Sequence, residues 1–393
     1  MRCFTMEYAT MITLKGMTWD HPRGYAPLEK ASELYRERHP EVEISWTRRS
    51  LQAFADRPLA LMTKEYDLLI IDHPHVGEAE RDQSLLPLNG QGYDDMLEEF
   101  SRRTVGPSYA SYDYHGSVWA LPVDAAAQVA CWRPDLLDAP PRTWDEVVAL
   151  AEKGQVTMPL KPIDAMASFC TLSANIGHPV GRDEGRLLDM DAGREVFRAL
   201  LAVARHMEEQ CFSNNPIEVL ERMSRTTQFA YCPLLYGYNS YSREDVPNAR
   251  IAFNDIPALG DNGPCGSMIG GAGIAVSSSC ERRDVALDFA FFIMSGEAQS
   301  GFYFDAQGQP GHLDAWESDR TNRLSLDFFR NTRKTMDTCW LRPRYDGFLG
   351  FMDKAGNLVN ATLRGQGDVD ETLKQLEELY QASRGTRLDR DYD

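Results

Sequence analysis

The first third of the chain alternates short apolar runs with an amphipathic stretch. Residues 11–19 read as a strand, and apolar side chains alternate over 42–46 in the manner of a second strand. Between them, apolar residues recur at helical spacing over 27–38, where Pro27 is expected to open the first turn of a helix. The run at 66–71, YDLLII, is almost continuously apolar, which is typical of a strand buried on both faces. This order of elements predicts an α/β fold.

The rest of the chain is mainly helical by the same criterion. Thr143 is expected to cap a helix, and Glu146 three residues later completes a capping box. Two strand-like segments fall at 249–256 and 266–277, and the second is rich in glycine. Helical periodicity recurs at 163–176, 192–207, 216–225, 283–295 and 369–383. The sequence shows no internal repeat and no low-complexity linker, so short crossings must join the parts of the fold.

Length and charge narrow the class of protein. At 393 residues the chain exceeds what one hydrophobic core usually serves, so two lobes are expected. The 41 Lys and Arg residues against 59 Asp and Glu residues give a net charge of −18, which would repel nucleic acid or an anionic membrane surface. No run approaches the roughly 20 apolar residues that span a bilayer. The first residues lack the basic and apolar regions of a secretory signal, so we expect a mature form or a protein without an ordinary signal.

The eight cysteines are scattered and form no C-x-x-C pair. This spacing argues against zinc-ribbon and thioredoxin-type sites. Isolated cysteines behave as small hydrophobic residues, so buried free thiols are predicted. An oxidising compartment would leave room for one or two disulfides.

Four stretches, taken together and in order, resemble the extracellular solute-binding proteins of carbohydrate-type ABC importers, the group that contains maltose-binding protein. The first is the opening strand and helix with HPEVEISW, and the second is YDLLIIDHPHVGEA. The third is SVWALPVDAAAQVACWRPDLL with TWDEVVALAEKG. The fourth is the glycine-rich strand GSMIGGAGIAVSSS with the helix and turn that lead to GQPG.

The resemblance implies a two-lobed α/β fold of the periplasmic-binding-protein type, with each lobe discontinuous in sequence. By position, lobe one would take residues 1–121 plus 266–309, and lobe two would take 122–265 plus 310–393. The chain would cross between lobes near Pro122, near 258–263 and near Pro310. Proline or glycine close to each crossing suits segments that change conformation when such a clamp closes.

The function that the resemblance implies is capture of a small polar solute for an ABC importer by closure of the clamp. The expected ligand is a sugar, a sugar acid or a related molecule, and the expected macromolecular partner is a membrane permease. A monomer in the periplasm is expected, with no cofactor, no bound metal, no nucleic-acid partner and no catalysis of its own.

A polar cluster follows the first strand. Its members, expected in one loop at the carboxyl end of that strand, are Trp19, Asp20, His21, Arg23 and Tyr25. Ligands of α/β proteins usually bind at this edge of the sheet, so the cluster is a candidate ligand site. The alternative is a surface loop in which the aspartate and the arginine pair with each other.

A second cluster, Asp72, His73 and His75, follows the buried strand at 66–71. These side chains are candidates for ligand contacts or for hydrogen bonds that cap the loop. His-x-His at a strand end can also open a zinc site, but such a site needs further His or acidic ligands at later strand ends. No such ligands are evident in the sequence.

The tyrosine-rich segment FAYCPLLYGYNSY supplies a third group, Tyr236, Tyr238 and Asn239. A tyrosine joins a flat apolar face to a polar tip, which suits a sugar ring and an aromatic ligand equally. The alternative is an inter-helix loop packed by its own tyrosines.

The glycine run that includes Gly270 and Gly271 leads into a strand rather than a helix, so a phosphate-binding loop is not expected. Close approach of this backbone to the ligand is the better functional interpretation. Asp124 beside the predicted crossing, Gln309 in the GQPG turn and Arg342 are weaker candidates. An arginine in the cleft would favour a carboxylated ligand.

Two other functions stay open from the sequence. One is a metal-dependent hydrolase that uses His73 and His75, and the other is a cytoplasmic ligand sensor with the same fold. No G-x-S-x-G motif and no recognisable catalytic cysteine are present. No basic helix-turn-helix-like segment stands out either. Carbohydrate ranks first among ligands because of the resemblance, and a sugar acid is not excluded.

Overall fold

The computed structural model describes residues 11–50, 58–182 and 185–388, so Cys3 and the outer limits of both predicted lobes lie outside it. The strands are β1 Ile12–Trp19, β2 Val42–Arg49, β3 Leu68–Asp72, β4 Asp113–Tyr114, β5 Ser117–Val118, β6 Leu121–Trp132, β7 Tyr231–Tyr236, β8 Ala252–Asn254 and β9 Ile269–Val276. The α-helices up to β7 are α1 Pro22–Arg38, α2 Leu59–Met62, α3 Val76–Asp82, α4 Asp94–Arg103, α5 Ser108–Tyr112, α6 Trp144–Ala151, α7 Pro162–Asn175, α8 Met190–Ala204 and α9 Pro216–Arg225.

The α-helices after β9 are α10 Arg283–Met294, α11 Gly296–Ala298, α12 Leu313–Glu317, α13 Asp319–Leu324, α14 Phe328–Asp337, α15 Phe348–Leu363 and α16 Val369–Leu388. Short 3₁₀ turns occur at His73–His75, Glu209–Phe212 and Asn239–Ser242, and a π-helical turn covers Gln299–Tyr303. None of the helices in the described ranges is long and apolar enough to cross a bilayer.

A seven-stranded sheet runs through the molecule in the order β2-β1-β3-β9-β6-β7, and β8 also pairs with β6. β1 is parallel to β2 and to β3, whereas β9 runs antiparallel to β3 and to β6. β7 and β8 are both antiparallel to β6. The two long strands β6 and β9 therefore connect the parallel half of the sheet with the antiparallel half.

Three hydrophobic clusters pack against this sheet. The first surrounds β1, β3, most of β9 and α10, and it takes in Leu121 and Val123 from β6. Further along β6, side chains alternate between the other two clusters, with Ala127 in one and Ala130 in the other. We call the elements around the first cluster lobe one and the elements around the other two lobe two. The residue limits given above for the lobes stay a prediction.

Most elements predicted from hydrophobic periodicity are confirmed. The strands at 11–19, 42–46 and 66–71 correspond to β1, β2 and β3, and Leu68 to Ile71 are almost wholly buried, as expected for a strand covered on both faces. The capping box of Thr143 and Glu146 is present at α6. The seven cysteines in the described part of the chain are free thiols, and five of them are buried.

The predicted start of the first helix is wrong. α1 begins at Pro22, because His21 caps it and Pro22 supplies the fixed backbone angle that suits a first turn. Pro27 lies inside the helix, where it removes only the N–H that would bond the carbonyl of Arg23. The polar residues from Pro22 to Tyr25 are therefore a helical turn and not a loop.

Candidate ligand-binding cleft

Arg23, in the first turn of α1, forms a buried ion pair with Asp124 of β6. Its Nε and one terminal nitrogen donate to the two carboxylate oxygens at 2.7 and 2.6 Å. The other terminal nitrogen donates to the carbonyl of Gly237, just after β7, at 2.8 Å. Arg23 is 4% exposed and Asp124 is 2% exposed. Both side chains are therefore used internally, to join α1 to the strand that connects the lobes and to the end of β7.

His21 caps α1 and faces lobe two. Its Nδ1 accepts the backbone N–H of Arg23 at 3.1 Å, and its ring meets the ring of Tyr238 edge to face, 5.2 Å between centroids. Burial, reinforced by the positive charge of Arg23, lowers the pKa of His21 to about 4. The imidazole is therefore neutral at pH 7, and Nε2 carries the proton because Nδ1 accepts a hydrogen bond.

The other three members of the first predicted cluster face elsewhere. The indole of Trp19 lies beneath the first turn of α1, where a Cβ on Gly24 would collide with it. The ring of Tyr25 is covered by the guanidinium of Arg48 on β2, 3.4 Å from the ring centroid. Asp20 is exposed. The prediction that these five residues form one loop is thus wrong, because most of them belong to β1 or α1. Of the five side chains, only His21 and Arg23 lie beside Tyr238.

His73 and His75 lie in the 3₁₀ turn that joins β3 to α3. His73 is fully buried, and its Nε2 accepts a hydrogen bond from Nε of Arg342 at 3.2 Å. Burial, reinforced by the charge of Arg342, holds the pKa of His73 well below its usual value. The proton of the neutral ring must then sit on Nδ1, which has no hydrogen-bond partner among the described residues. His75 is instead paired with Glu78, 3.4 Å away.

Asp72 ends β3 and precedes this turn. Burial raises the pKa of its carboxyl group, although His75 and Arg342 act in the opposite direction. In the part of the chain that the structure describes, no group donates a hydrogen bond to the Asp72 carboxylate. Asp72 and the Nδ1–H of His73 thus supply an acceptor and a donor on the lobe-one side, and neither of them bonds another described residue.

Tyr236 of β7 lies against the glycine-rich strand β9. A Cβ on Gly270 would come within 2.6 Å of the Tyr236 ring, so the absence of a side chain at Gly270 makes room for that ring. Gly271 has a φ of +94°, and a Cβ there would collide with the carbonyl of Asp124. Gly270 therefore allows the Tyr236 ring to approach β9, and Gly271 allows the backbone of β6 to do so. Burial raises the pKa of Tyr236, whose hydroxyl bonds none of the described residues.

Asn239 and Gln309 come together as a buried pair. The side-chain oxygen of Gln309 accepts the backbone N–H of Asn239 at 2.9 Å, and the Gln309 amide donates to the carbonyl of Ala125 at 2.9 Å. The Asn239 amide donates to the carbonyl of Gly308 at 3.0 Å. Both residues were predicted to contact ligand, but in this arrangement their hydrogen bonds tie the GQPG turn to β6 and to the segment after β7.

The segment from Arg342 to Gly347 joins lobe two to lobe one. Besides the Arg342–His73 bond, one terminal nitrogen of Arg344 lies 2.7 to 2.9 Å from three carbonyls, two in α5 and one at the start of β4, to which it donates. Asp346 pairs with Arg81 of α3. A Cβ on Gly77 of α3 would collide with the carbonyl of Arg344. In this structure, the 342–347 segment of lobe two therefore contacts α3 and the 3₁₀ turn of lobe one across the cleft.

Asp164 was not predicted from the sequence. It stands in the first turn of α7, is 5% exposed, and accepts no hydrogen bond from the described residues. Burial raises its pKa to about 7. Its charge contributes to the raised pKa values of Tyr236 and Tyr238, for which burial is the main cause. The only sequence feature that could have indicated it is that Asp164 is the single acidic residue in a helix of apolar and small residues.

Within the described ranges, no three His, Cys, Asp or Glu side chains lie close enough together to hold a metal ion. His75 is paired with Glu78, and His73 accepts a hydrogen bond from Arg342. The hydrolase alternative, which needs a metal on these histidines, has no support in this geometry.

A family model described as bacterial extracellular solute-binding protein matches residues 35–320. Maltose-bound MalE3 of T. maritima is 18% identical, with a TM-score of 0.77 over 94% of this chain and 99% of that chain. A ribitol-bound ABC transporter solute-binding protein from Agrobacterium radiobacter K84 is 18% identical, with a TM-score of 0.80 over 95% and 99%. The GacH receptor of Streptomyces glaucescens is 16% identical, with a TM-score of 0.80 over 95% and 98%.

These structural matches share the fold of this chain over nearly its whole length. The α/β fold of two lobes with a cleft between them is thereby confirmed, as is the family resemblance seen in the sequence. The family and these neighbours are binding proteins, and the family description implies an extracellular location. The family model covers well over half of the chain, so the protein belongs to the bacterial extracellular solute-binding proteins.

Proposed function

We propose that this protein is the substrate-binding component of an ABC importer and that it captures a sugar or polyol between its two lobes. The observation that carries the proposal is a set of hydrogen-bonding groups, on both lobes, that have no partner among the described residues. Asp72 and His73 contribute them from lobe one, and Asp164 and Tyr236 contribute them from lobe two. A ligand rich in hydroxyl groups would satisfy all four.

The solved relatives support this ligand class. They are bound to maltose, to ribitol and, in a solute-binding protein from Agrobacterium vitis S4, to D-mannitol. The aromatic ring of Tyr236 suits the same chemistry, because a sugar presents an apolar face and a rim of hydroxyl groups. A small pocket with few polar groups that fix orientation is the usual form of such a site.

The remaining parts of the proposal follow from the role. The lobes would take residues 1–121 plus 266–309 and residues 122–265 plus 310–393, and the change of hydrophobic cluster along β6 near Pro122 supports that division. The protein would act as a monomer in the periplasm, deliver its ligand to a membrane permease and carry out no chemistry on it. Binding of nucleic acid is not part of this role.

A thermal-shift panel of neutral sugars, polyols, sugar acids and aromatic acids tests the proposal. A ligand at 100 times its dissociation constant stabilises the folded state by about 2.7 kcal/mol, which shifts the melting temperature measurably. We expect one or more neutral sugars or polyols to do so without being consumed. No response to any sugar or polyol, or turnover of a panel member, would contradict the proposal.

Replacing Tyr236 by alanine is expected to weaken binding of the ligand found in this panel by about 10- to 100-fold. The change removes the ring that lies over Gly270 and one unsatisfied hydroxyl. Tyr241→Ala is the matched control, because the Tyr241 hydroxyl donates to Glu221, away from the cleft. Isothermal titration calorimetry should therefore show a loss for the first variant and not for the second. Equal losses would mean that Tyr236 acts only through packing.

Gly77→Ala is expected to oppose closure of the clamp. The new Cβ would collide with the carbonyl of Arg344 and push the segment from Arg342 to Gly347 away from α3. A penalty of about 1.4 kcal/mol on the closed state weakens binding about tenfold. Gly350→Ala is the control, since a Cβ at Gly350 meets nothing within 4 Å. Calorimetry measures the affinities, and small-angle X-ray scattering should show a larger radius of gyration for Gly77→Ala alone.

A further inference from the structure

We infer that Cys131 of β6 and Cys232 of β7 form a disulfide when the chain folds in an oxidising compartment, and that this bond fastens two strands of lobe two together. The structure describes the reduced form, in which both residues are free thiols. Formation of the bond needs the extracellular location that the family implies, because disulfides persist in oxidising surroundings. It does not depend on which ligand the cleft binds.

The pairing of β6 with β7 places the two cysteines side by side. Cys131 and Cys232 are partners in an antiparallel register, just beyond a register shift between Val129 and Cys131. Two residues further on, the N–H of Arg133 donates to the carbonyl of Ala230 at 2.9 Å. By the alternation of antiparallel pairs, the two cysteines are then also a hydrogen-bonded pair, whose Cα atoms lie about 5.5 Å apart. This spacing suits a disulfide, for which Cα distances of about 4.4–6.8 Å are usual.

The side chains of the two cysteines point to the same face of the sheet, as those of directly opposed residues do. Both belong to one hydrophobic cluster of lobe two, and both are 0% exposed. Burial, reinforced by a hydrogen bond with Cys131, raises the pKa of the Cys232 thiol well above its usual value. The thiolate is the reactive form of cysteine, so the bond would form while the chain folds and before the pair is buried.

The sheet aligns no other two cysteines in the described ranges. The five other cysteines that the structure describes lie outside its strands, namely Cys170, Cys211, Cys265, Cys280 and Cys339. Cys131 and Cys232 are therefore the pair that backbone hydrogen bonding itself brings together.

The bond would form by thiol–disulfide exchange with an external disulfide, either oxidised glutathione or the oxidised form of a dithiol protein. One cysteine loses its proton to solvent, and its thiolate attacks a sulfur of the external disulfide and releases one thiolate. The thiolate of the second cysteine then attacks the protein sulfur of this mixed disulfide and releases the other. The two cysteines give up two protons and two electrons in total, and the external disulfide is reduced to two thiols.

The disulfide would close a long loop of lobe two. About a hundred residues lie between the two cysteines, and they include the helices α6, α7, α8 and α9. A bond that closes a long loop removes much of the freedom of the unfolded chain, so it raises stability without a change in the folded structure. The bond would also fix β6, which connects the lobes, to β7, which ends at Tyr236 of the cleft.

The test compares wild-type protein made in the reducing cytoplasm of a bacterial host with the same chain exported to the host periplasm. Free thiols are blocked with N-ethylmaleimide in denaturant, and peptide mass spectrometry then identifies the joined cysteines. We expect Cys131 joined to Cys232 in most of the exported protein and in little of the cytoplasmic protein. The melting temperature of the exported protein should be higher by about 5 °C or more. Refolding the cytoplasmic protein in a glutathione redox buffer repeats the comparison without export and should produce the same bond.

The double variant Cys131→Ala with Cys232→Ala should melt at the same temperature from either compartment. Cys170→Ala with Cys211→Ala is the matched control, because it removes two other buried thiols and should keep both the bond and the temperature difference. Cysteines 131 and 232 found unjoined in the exported and refolded wild type, or joined to other cysteines, would overturn the inference. So would an oxidised wild type that melts no higher than the reduced one. These outcomes would leave the proposed function standing, since the ligand panel tests it separately.

Discussion

Asp124→Ala is expected to lower the free energy of unfolding by about 3–5 kcal/mol, because it leaves the charge of Arg23 unpaired in the interior. Arg23 is 4% exposed, and Asp124 supplies both carboxylate oxygens that it contacts. The carbonyl of Gly237 alone cannot compensate a buried cation. Urea denaturation followed by circular dichroism measures the loss, which should appear as a lower midpoint.

The control is the double variant Arg23→Met with Asp124→Leu. Replacing a buried ion pair by apolar residues of similar size is often neutral or stabilising, so the double variant should recover most of the loss. Recovery would show that the penalty of Asp124→Ala comes from the unpaired charge rather than from the cavity. A loss below about 1 kcal/mol for Asp124→Ala would mean that water reaches Arg23.

Asp164→Asn is expected to raise stability above pH 7 by up to about 4 kcal/mol. In the unfolded chain Asp164 ionises near pH 4, whereas burial raises its pKa in the folded protein to about 7. Between these values the folded protein holds a proton that the unfolded chain has lost. Wild-type stability therefore falls as the pH rises from 4 to 7 and the cost stays constant above that range. Asparagine does not ionise and carries no such cost.

Urea midpoints at pH 4 and pH 8 measure this difference. Asp164→Asn should match the wild type at pH 4 and exceed it at pH 8. The groups whose charges act on Asp164 are Lys161, which lowers its pKa, and Glu218, which raises it. Glu218→Gln should therefore have a much smaller effect than Asp164→Asn. Equal stability of Asp164→Asn and wild type at pH 8 would show that Asp164 is solvated in the folded protein.

Taken together, these two predictions separate structural from functional charge in the cleft. Asp124 is a carboxylate whose partner is already present, so its loss costs stability. Asp164 is a buried carboxylate that accepts no hydrogen bond from the described residues, so its ionisation costs stability. Under the proposed function its loss should also cost affinity. Stability sacrificed at a binding site in this way is a common trade-off.

The local pattern of apolar and polar residues was sufficient to predict most of the helices and strands. β3 was recognised because a strand covered on both faces must be apolar throughout, and α6 because Thr143 and Glu146 satisfy each other's backbone donors. The start of α1 was misjudged because two prolines compete for the first turn. The cap provided by His21, which decides between them, is a three-dimensional contact that periodicity does not report.

The candidate site was only partly recognisable for a similar reason. Asp72 and His73 stood out because they follow a buried strand, and Tyr236 because it lies in a run of tyrosines. Asp164 gave almost no signal, since a single acidic residue in the first turn of a helix usually reflects the helix dipole. Nothing in the sequence showed that its carboxylate would be buried and would accept no hydrogen bond from the residues described in the structure.

The sequence alone determined the class of this protein: periodicity and segment order specify the α/β elements, and four family-like stretches specify the two-lobed clamp. Only the tertiary structure decided which polar side chains are free to meet a ligand. Arg23 and Asp124 are separated by 101 positions, yet they neutralise each other. Asp72 and Asp164 accept no hydrogen bond from any residue that the structure describes, for an equally non-local reason. Whether a buried polar group has a hydrogen-bond partner depends on which distant segments fold against it. The hydrophobic pattern of the sequence does not predict these long-range contacts.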